Sequence, residues 1–347
     1  MMLAPTIKFE VPDILNAAVP PERRGVRRDH VRMLILGRKS GVTQHDRFNR
    51  LEDYLKKGDL LVLNASRTVP AVLYASLNRE GNRNSDETEV RLARKLDDST
   101  WECLIVAEDL TEGDLLAFST TLFGTVSKVN ANSPFATVSF SLSGPLLFDQ
   151  IYELGEPVRY EYIKNDWPLD YYQTVYGNIP GSVEMASAGR AFTWEILFKL
   201  QKKGVKIAFI HLHTGLTYLL DDKWHQSPEQ NEEAYHISEE AARMINETKT
   251  AGGRVIAVGT TVVRALETAV DPSGQLEKSS GWTNLYIHPE YDLKIADGLI
   301  TGFHEPEASH LDMLSAFIDP GYLHNAYQEA IERKYLWHEF GDINLIL

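Results

Sequence analysis

The sequence has 347 residues, of which 43% are hydrophobic and 24% charged, with a formal net charge of -14 and a single cysteine, Cys103. That length supports a large core and two domains. The acidic balance excludes broad, nonspecific phosphate binding, because an acidic surface repels a polyanion, while a small basic patch reading one RNA loop stays open. One cysteine excludes an internal disulfide and suits a reducing compartment; in the apolar run WECLIV it reads as a buried small hydrophobe rather than a nucleophile. Neither a basic-then-apolar leader nor an apolar run of membrane-spanning length is seen, so a soluble, cytoplasmic protein with no membrane or DNA partner is expected.

From Lys8 to Arg38 an extended piece passes through Pro20-Pro21 into Arg23, Arg24, Arg27, Arg28 and Arg32. This local reversal of sign reads either as a solvated segment or as a phosphate contact. VRMLILGRKSGV predicts strand, turn and strand. The spacing of Phe48, Leu51, Tyr54 and Leu55 predicts an amphipathic helix over 48–57, ended by Gly58. Leu60 to Leu63 predicts a short buried strand that breaks into the polar loop Asn64-Ala65-Ser66-Arg67. Small hydrogen-bonding residues there suit a ligand crevice in an α/β fold, or simple chain reversal.

From about Leu73 to Gln150 short alternating or β-branched runs recur roughly every ten residues with turn signals between them and no helical period. They predict a small all-β barrel or sandwich. Flanking α/β patterns make it an insertion, so 73–150 is expected as an inserted domain and 1–72 with 151–347 as the main α/β (α+β) domain.

Beyond Pro157 the pattern predicts a helix over 192–203, N-capped by Thr193 and C-capped by Gly204. A buried strand, VKIAFIHL, leads into His213-Thr214-Gly215. Next come a helix capped by Ser238 with Glu239 and Glu240 in its first turn, a buried strand RVIAVG, a Gly259-Thr260-Thr261 turn and the helix VVRALETAV. A loop carrying His304 leads into another helix, and AYQEAIERKYLW predicts the last one.

Three features carry chemistry. Backbone N–H groups at Gly259 to Thr261 and the following helix N-terminus can hold a carboxylate or phosphate; Arg264 can reach the same anion or pair with Glu267. His211 and His213 alternate along a strand and so share a face. As His225 and His236 fall in polar, loop-like surroundings, no third ligand sits at a recognisable metal spacing, and the histidines read as hydrogen-bonded or general acid/base groups rather than a metal site. His304 carries the same ambiguity.

Taken together, GDLLVLNASRTVPAVL, YQTVYGNIPGSV with AGRAFT, HLHTGL, GGRVIAVGTTVVRALET, SSGWTNLYIHPEY, DGLITGFHEP and FGDINLIL resemble the S-adenosylmethionine:tRNA ribosyltransferase-isomerase family of queuosine biosynthesis, in order, from Arg28-Asp29 to the end. The resemblance implies an α/β domain with an inserted β-barrel. It implies transfer and isomerisation of the ribosyl group of S-adenosylmethionine onto 7-aminomethyl-7-deazaguanine in a tRNA anticodon loop, giving epoxyqueuosine, adenine and methionine, without a metal. His211, His213 and His304 are then the candidate catalytic residues. Candidate substrate contacts are Asn64, Ser66, Arg67, Tyr176, Gly189, Phe192, Thr193, Gly215, Gly259, Thr260, Thr261 and Arg264, with Arg67 meeting an RNA phosphate.

Against the family pattern, Ala65 replaces an aspartate, Val72 an arginine, Ala186 a proline and Ala191 a histidine. Thr217-Tyr218-Leu219 replaces glycine-threonine-phenylalanine, Asn231 stands near a lost histidine, Glu307 replaces a lysine, and Asp312 enters an apolar run. The changes read as falling in loops, so the scaffold is kept and the site altered. Two other readings therefore stand beside the family reaction: a paralogue serving a different acceptor, and a non-catalytic RNA- or nucleotide-binding protein.

Overall fold

The computed structural model describes residues 7–78, 86–130, 132–217, 219–220, 230–306 and 308–347; His225, Tyr218 and Glu307 lie outside the described residues. In chain order the strands are β1 (Arg32–Leu36), β2 (Thr43–Arg47), β3 (Leu60–Asn64), β4 (Ser66–Thr68), β5 (Val72–Asn78), β6 (Asp86–Lys95), β7 (Thr100–Ile105), β8 (Leu115–Ala117), β9 (Phe123–Val129), β10 (Phe135–Phe140), β11 (Ile179–Ser182), β12 (Lys206–Leu212), β13 (Glu233–Ile237), β14 (Val255–Val258), β15 (Ser279–Thr283), β16 (Gly298–Thr301) and β17 (Ile343–Ile346). The α-helices are α1 (Gly144–Leu154), α2 (Trp194–Lys203), α3 (Glu239–Thr250), α4 (Thr260–Ala269), α5 (Ser309–Phe317) and α6 (Pro320–Glu332).

The main sheet has the order β15-β13-β12-β3-β14-β16-β17-β1-β2. Its middle, β12, β3, β14 and β16, is parallel. Because successive strand residues point to opposite faces, Leu60 and Val62 pack on one side with α3 to α6, while Leu61 and Leu63 pack on the other with Phe48, Phe192 and Leu197. Covered on both faces, β3, β14, β16 and β17 are buried throughout, which is why their sequences lack polar alternation. The fold is the expected α/β body carrying an all-β barrel.

β5 to β10 close into that barrel in the order β10-β7-β6-β5-β8-β9. Its interior holds Trp101, Leu92, Val126, Val138 and Cys103, with Leu147 and Ile151 of α1 packed against it. Burial pushes the Cys103 thiol up, away from a reactive thiolate. The chain enters at Val72 and returns at Glu156, and these two residues exchange backbone hydrogen bonds of 2.9 and 2.8 Å.

Five expectations need correction. Residues 144–150, read as part of a stretch with no helical period, belong to α1. Residues 48–53 form a 3₁₀ helix rather than an α-helix; Phe48 and Leu51 still reach the core, because the i, i+3 spacing serves either helix. The last helix starts earlier, at Pro320 behind the Asp319 cap, and stops at Glu332, leaving Tyr335 and Trp337 buried beyond its end. His236 is on strand β13 rather than in a loop, since Glu233, Tyr235 and Ile237 alternate inward. The altered residues are not confined to loops: Val72 opens β5 and Asp312 lies in α5. Thr193 and Ser238 cap their helices as expected, accepting from the backbone N–H groups of Ile196 and Ala241.

Candidate active site

The carboxyl ends of parallel strands in an open α/β sheet are where ligands settle. At the end of β3 the Asn64 side chain clamps the neighbouring β12. Its Oδ1 accepts from the backbone N–H of Leu212 at 3.0 Å and of Ser66 at 3.1 Å, and its Nδ2 donates to the Leu212 carbonyl at 2.8 Å. Asn64 is thus a strut. Ser66 follows, with Oγ 2.7 Å from His213 Nδ1 and 2.6 Å from Ser182 Oγ. Three segments distant in sequence therefore fix one imidazole.

Gly181 completes the seat, because a Cβ there would lie 2.5 Å from His213 Nδ1. Gly181→Ala is expected to displace the ring and cut turnover about tenfold or more, with little change in melting temperature; kcat and thermal unfolding together test this.

His213 is largely enclosed. Burial, and secondarily the nearby His211 and Lys95, bring its pKa down to about 4. At neutral pH it is a neutral imidazole, competent as a proton acceptor. Activity governed by it should stay flat on acidification until near pH 4. Since the folded state holds the ring neutral below its ordinary value of about 6.5, the unfolded chain takes the proton first, and stability falls as pH drops from about 6.5 towards 4. A kcat/KM profile with an acid limb near pH 6.5 would overturn the assignment.

His211 is half-buried, hydrogen-bonded through Nε2 to Asn178 Oδ1 at 2.9 Å, with its ring 6.3 Å from that of His236; its pKa too is lowered by burial and by His236. His304 is placed elsewhere. It follows β16, three strand spacings or about 14 Å from β12, bonds Thr301 Oγ1 at 2.8 Å and stacks on His310 at 4.5 Å. Burial, then His310, hold it neutral.

The other candidates divide between surface and scaffold. Arg67 projects into solvent with its guanidinium 5.7 Å from the Tyr152 ring. Phe192 is fully buried, its ring 4.8 Å from Phe48, and Tyr176 packs beside it. Gly189 gives room to the Tyr176 hydroxyl, 2.1 Å from where a Cβ would stand. Thr193 caps α2 and donates to Asp29 Oδ2 at 3.0 Å. These four pack and cap rather than line an open surface. Thr260 and Thr261 begin α4 after Gly259, whose φ of 93° and proximity to Ala188 suit a residue without a Cβ.

Arg264 does not pair with Glu267. Its guanidinium is spent on buried Glu233 and on the carbonyls of Asn231, Thr283 and Leu285. Glu233 also accepts from the Gly215 N–H at 3.3 Å, which ties the loop after His213 to α4. Glu267 instead accepts from the backbone N–H groups of Lys294, Ile295 and Ala296. Beside Gly215, between barrel and sheet, lies a cavity of about 260 Å³ lined by Arg94, Phe135, Leu216 and Asn231.

Sequence reasoning passed over Asn178, Ser182, Glu184, Glu233 and Glu339. Ser182 and Glu184 had one available signal: they alternate along the segment that ends β11. Among the described residues no group of three or more His, Cys, Asp or Glu is arranged to hold a metal ion, and no helix is long and apolar enough to cross a membrane.

Fold and site together define an α/β protein of the ligand-crevice class, with a neutral histidine held at the strand ends beneath an inserted barrel. A family model described as "Queuosine biosynthesis protein" matches residues 5–346, and the chain belongs to that family. It is similar to an S-adenosylmethionine:tRNA ribosyltransferase-isomerase of Thermoanaerobacter sp. (strain X514), 37% identical over 98% of each chain. It is also similar to the crystal structure of an S-adenosylmethionine tRNA ribosyltransferase from Thermotoga maritima, with a TM-score of 0.56 and 31% identity, covering 98% of this chain and 99% of that one.

Proposed function

We propose that this chain transfers and isomerises the ribosyl group of S-adenosylmethionine onto 7-aminomethyl-7-deazaguanine in the anticodon loop of a tRNA, giving epoxyqueuosine and releasing adenine and methionine in the cytoplasm. Family membership along the whole chain supplies the reaction, and one observation carries its assignment to this site: the neutral imidazole of His213, held by Ser66 at the mouth of the sheet. The reaction needs a base to remove a proton beside the sulfonium, and His213 is the enclosed, neutral group available there. Thr260 and Thr261 at the N-terminus of α4 are assigned to the ribose hydroxyls, and no metal is required. Residues 73–150 are read as the inserted domain and the remainder as the catalytic body.

The tRNA is assigned to the face beside His213. Trp282, Phe209 and Ile179 are exposed there, Arg94 lies 5.4 Å over the Trp282 ring, and Arg67 has no ion pair among the described residues. Aromatic rings take unstacked bases and free cations take phosphates. Arg67→Glu is expected to weaken tRNA binding several-fold and to lower the salt slope by about one, leaving S-adenosylmethionine affinity unchanged; filter binding at several salt concentrations measures both. The acceptor has a second reading, a different nucleoside, because Ala191 offers only a buried methyl group where the resemblance has a histidine. Incubation with labelled S-adenosylmethionine and tRNA bearing the aminomethyl base decides: label transfer with adenine release supports the reaction, and binding without transfer leaves only the second acceptor.

A further inference from the structure

A second polar cluster lies beside His213 and is not used by the chemistry above. Glu184 stands two residues beyond Ser182, about 7 Å along extended chain, and its backbone carbonyl accepts from Thr214 Oγ1 at 2.6 Å. Its carboxylate accepts from the Thr217 N–H at 2.6 Å, the Thr217 hydroxyl at 2.9 Å and the Tyr160 hydroxyl at 3.0 Å. Glu339, just ahead of β17, comes close enough for the two carboxyls to repel. Burial first, and Glu184 second, push its pKa up to about 8. The Tyr160 and Tyr162 rings stack at 5.9 Å, and Tyr162 stacks on His338 at 4.8 Å.

What marks this cluster as a receptor is its unfinished hydrogen bonding. Glu339 Oε2, the hydroxyls of Tyr162 and Tyr172, and Arg159 Nε are all buried and make no well-formed hydrogen bond among the described residues, although Tyr162 stands beside Glu339 and Tyr172 beside Arg159. Tyr172 is only 1% exposed, and its hydroxyl faces Glu339 and Arg159. Buried polar atoms in a finished core find partners. The nearby cations are already spent: Arg190 on Glu22 at 2.8 Å, and Arg159 Nη1 on Glu156 and Asp166 at 3.0 Å each. Glu305 faces the weakly basic His338 at 3.6 Å. The cluster is therefore acidic on balance and faced by tyrosine rings, which favours an ammonium group, while the Tyr hydroxyls and Arg159 Nε are donors that suit a carboxylate.

We propose that this cluster binds a zwitterionic α-amino acid head group, that of S-adenosylmethionine, with its ammonium between Glu184 and Glu339 and its carboxylate on Tyr162, Tyr172 and Arg159 Nε. The assignment rests on the reaction proposed above and adds to it the site that tells S-adenosylmethionine from other nucleosides. It adjoins the candidate base in the chain: Glu184 stands two residues from Ser182, whose Oγ contacts the Ser66 Oγ that meets His213.

Calorimetric titration of the full-length protein with S-adenosylmethionine, and with methylthioadenosine, which lacks the amino-acid head, tests it. Wild-type protein should prefer S-adenosylmethionine, and Glu184→Gln and Glu339→Gln should each weaken that ligand on the order of 10- to 100-fold while leaving methylthioadenosine unchanged. Tyr162→Phe removes only a hydroxyl that makes no well-formed hydrogen bond among the described residues, so it should fold normally and still lose several-fold in the same selective way. Equal loss for both ligands, or no loss for either, overturns the assignment; if labelled tRNA is still formed, the reaction stands without it. Wild-type protein that binds neither ligand overturns both.

Discussion

Replacing His213 by alanine is expected to lower turnover by about 10²- to 10⁴-fold, the usual contribution of a positioned general base. The loss should fall on kcat rather than KM, because the imidazole acts on a proton and contributes little to holding the substrate. Folding should survive: Ser66 loses one partner but keeps Ser182 Oγ at 2.6 Å, a cost of about 1 kcal/mol. Adenine release followed against time, with circular dichroism on the same sample, measures both. His211→Ala is the informative control. That ring bonds Asn178 on a more open face, so its loss should be much smaller than that of His213. Unchanged kcat in the His213 variant would remove it from the mechanism; equal losses in the two would mean that the histidines act as one unit.

The scaffold was readable because its signals are local. LLVL and VIAV are continuous apolar runs and became central strands; the barrel runs alternate and became barrel strands; Thr193 and Ser238 sit one residue before their helices and cap them. The candidate site was legible only where it lies on such elements, as His211 and His213 do. Ser66 and Ser182 are separated by 116 residues and meet only once β11 pairs with β4. Glu184 and Glu339 are single acidic residues with no pattern around them, brought together by the return of the chain into β17. Arg264 misled for the same reason. Glu267 is its i+3 neighbour on α4, but that carboxylate turns to three backbone N–H groups, and the partner that matters comes from β13.

That partner gives the largest expected change in stability. Glu233 and Arg264 form an ion pair in which both side chains are largely withdrawn from water, and burial pushes the Glu233 pKa up while Arg264 opposes it. Removing one member leaves the other charge uncompensated, which costs about 3–5 kcal/mol. Arg264→Ala should sit at the upper end, since it also releases the carbonyls of Asn231, Thr283 and Leu285. Glu233→Ala should additionally free the Gly215 N–H and loosen the loop that follows His213, so its activity should fall more than its unfolding midpoint suggests. The double replacement Glu233→Met with Arg264→Leu should recover most of the stability, because the desolvation cost of both charges disappears together. Denaturant unfolding of the three variants separates a strut from a ligand contact. If Arg264→Ala abolished S-adenosylmethionine binding while leaving the midpoint unmoved, Arg264 would be an anion receptor after all. A midpoint shift with residual binding fixes it as the tie between α4 and the His213 loop.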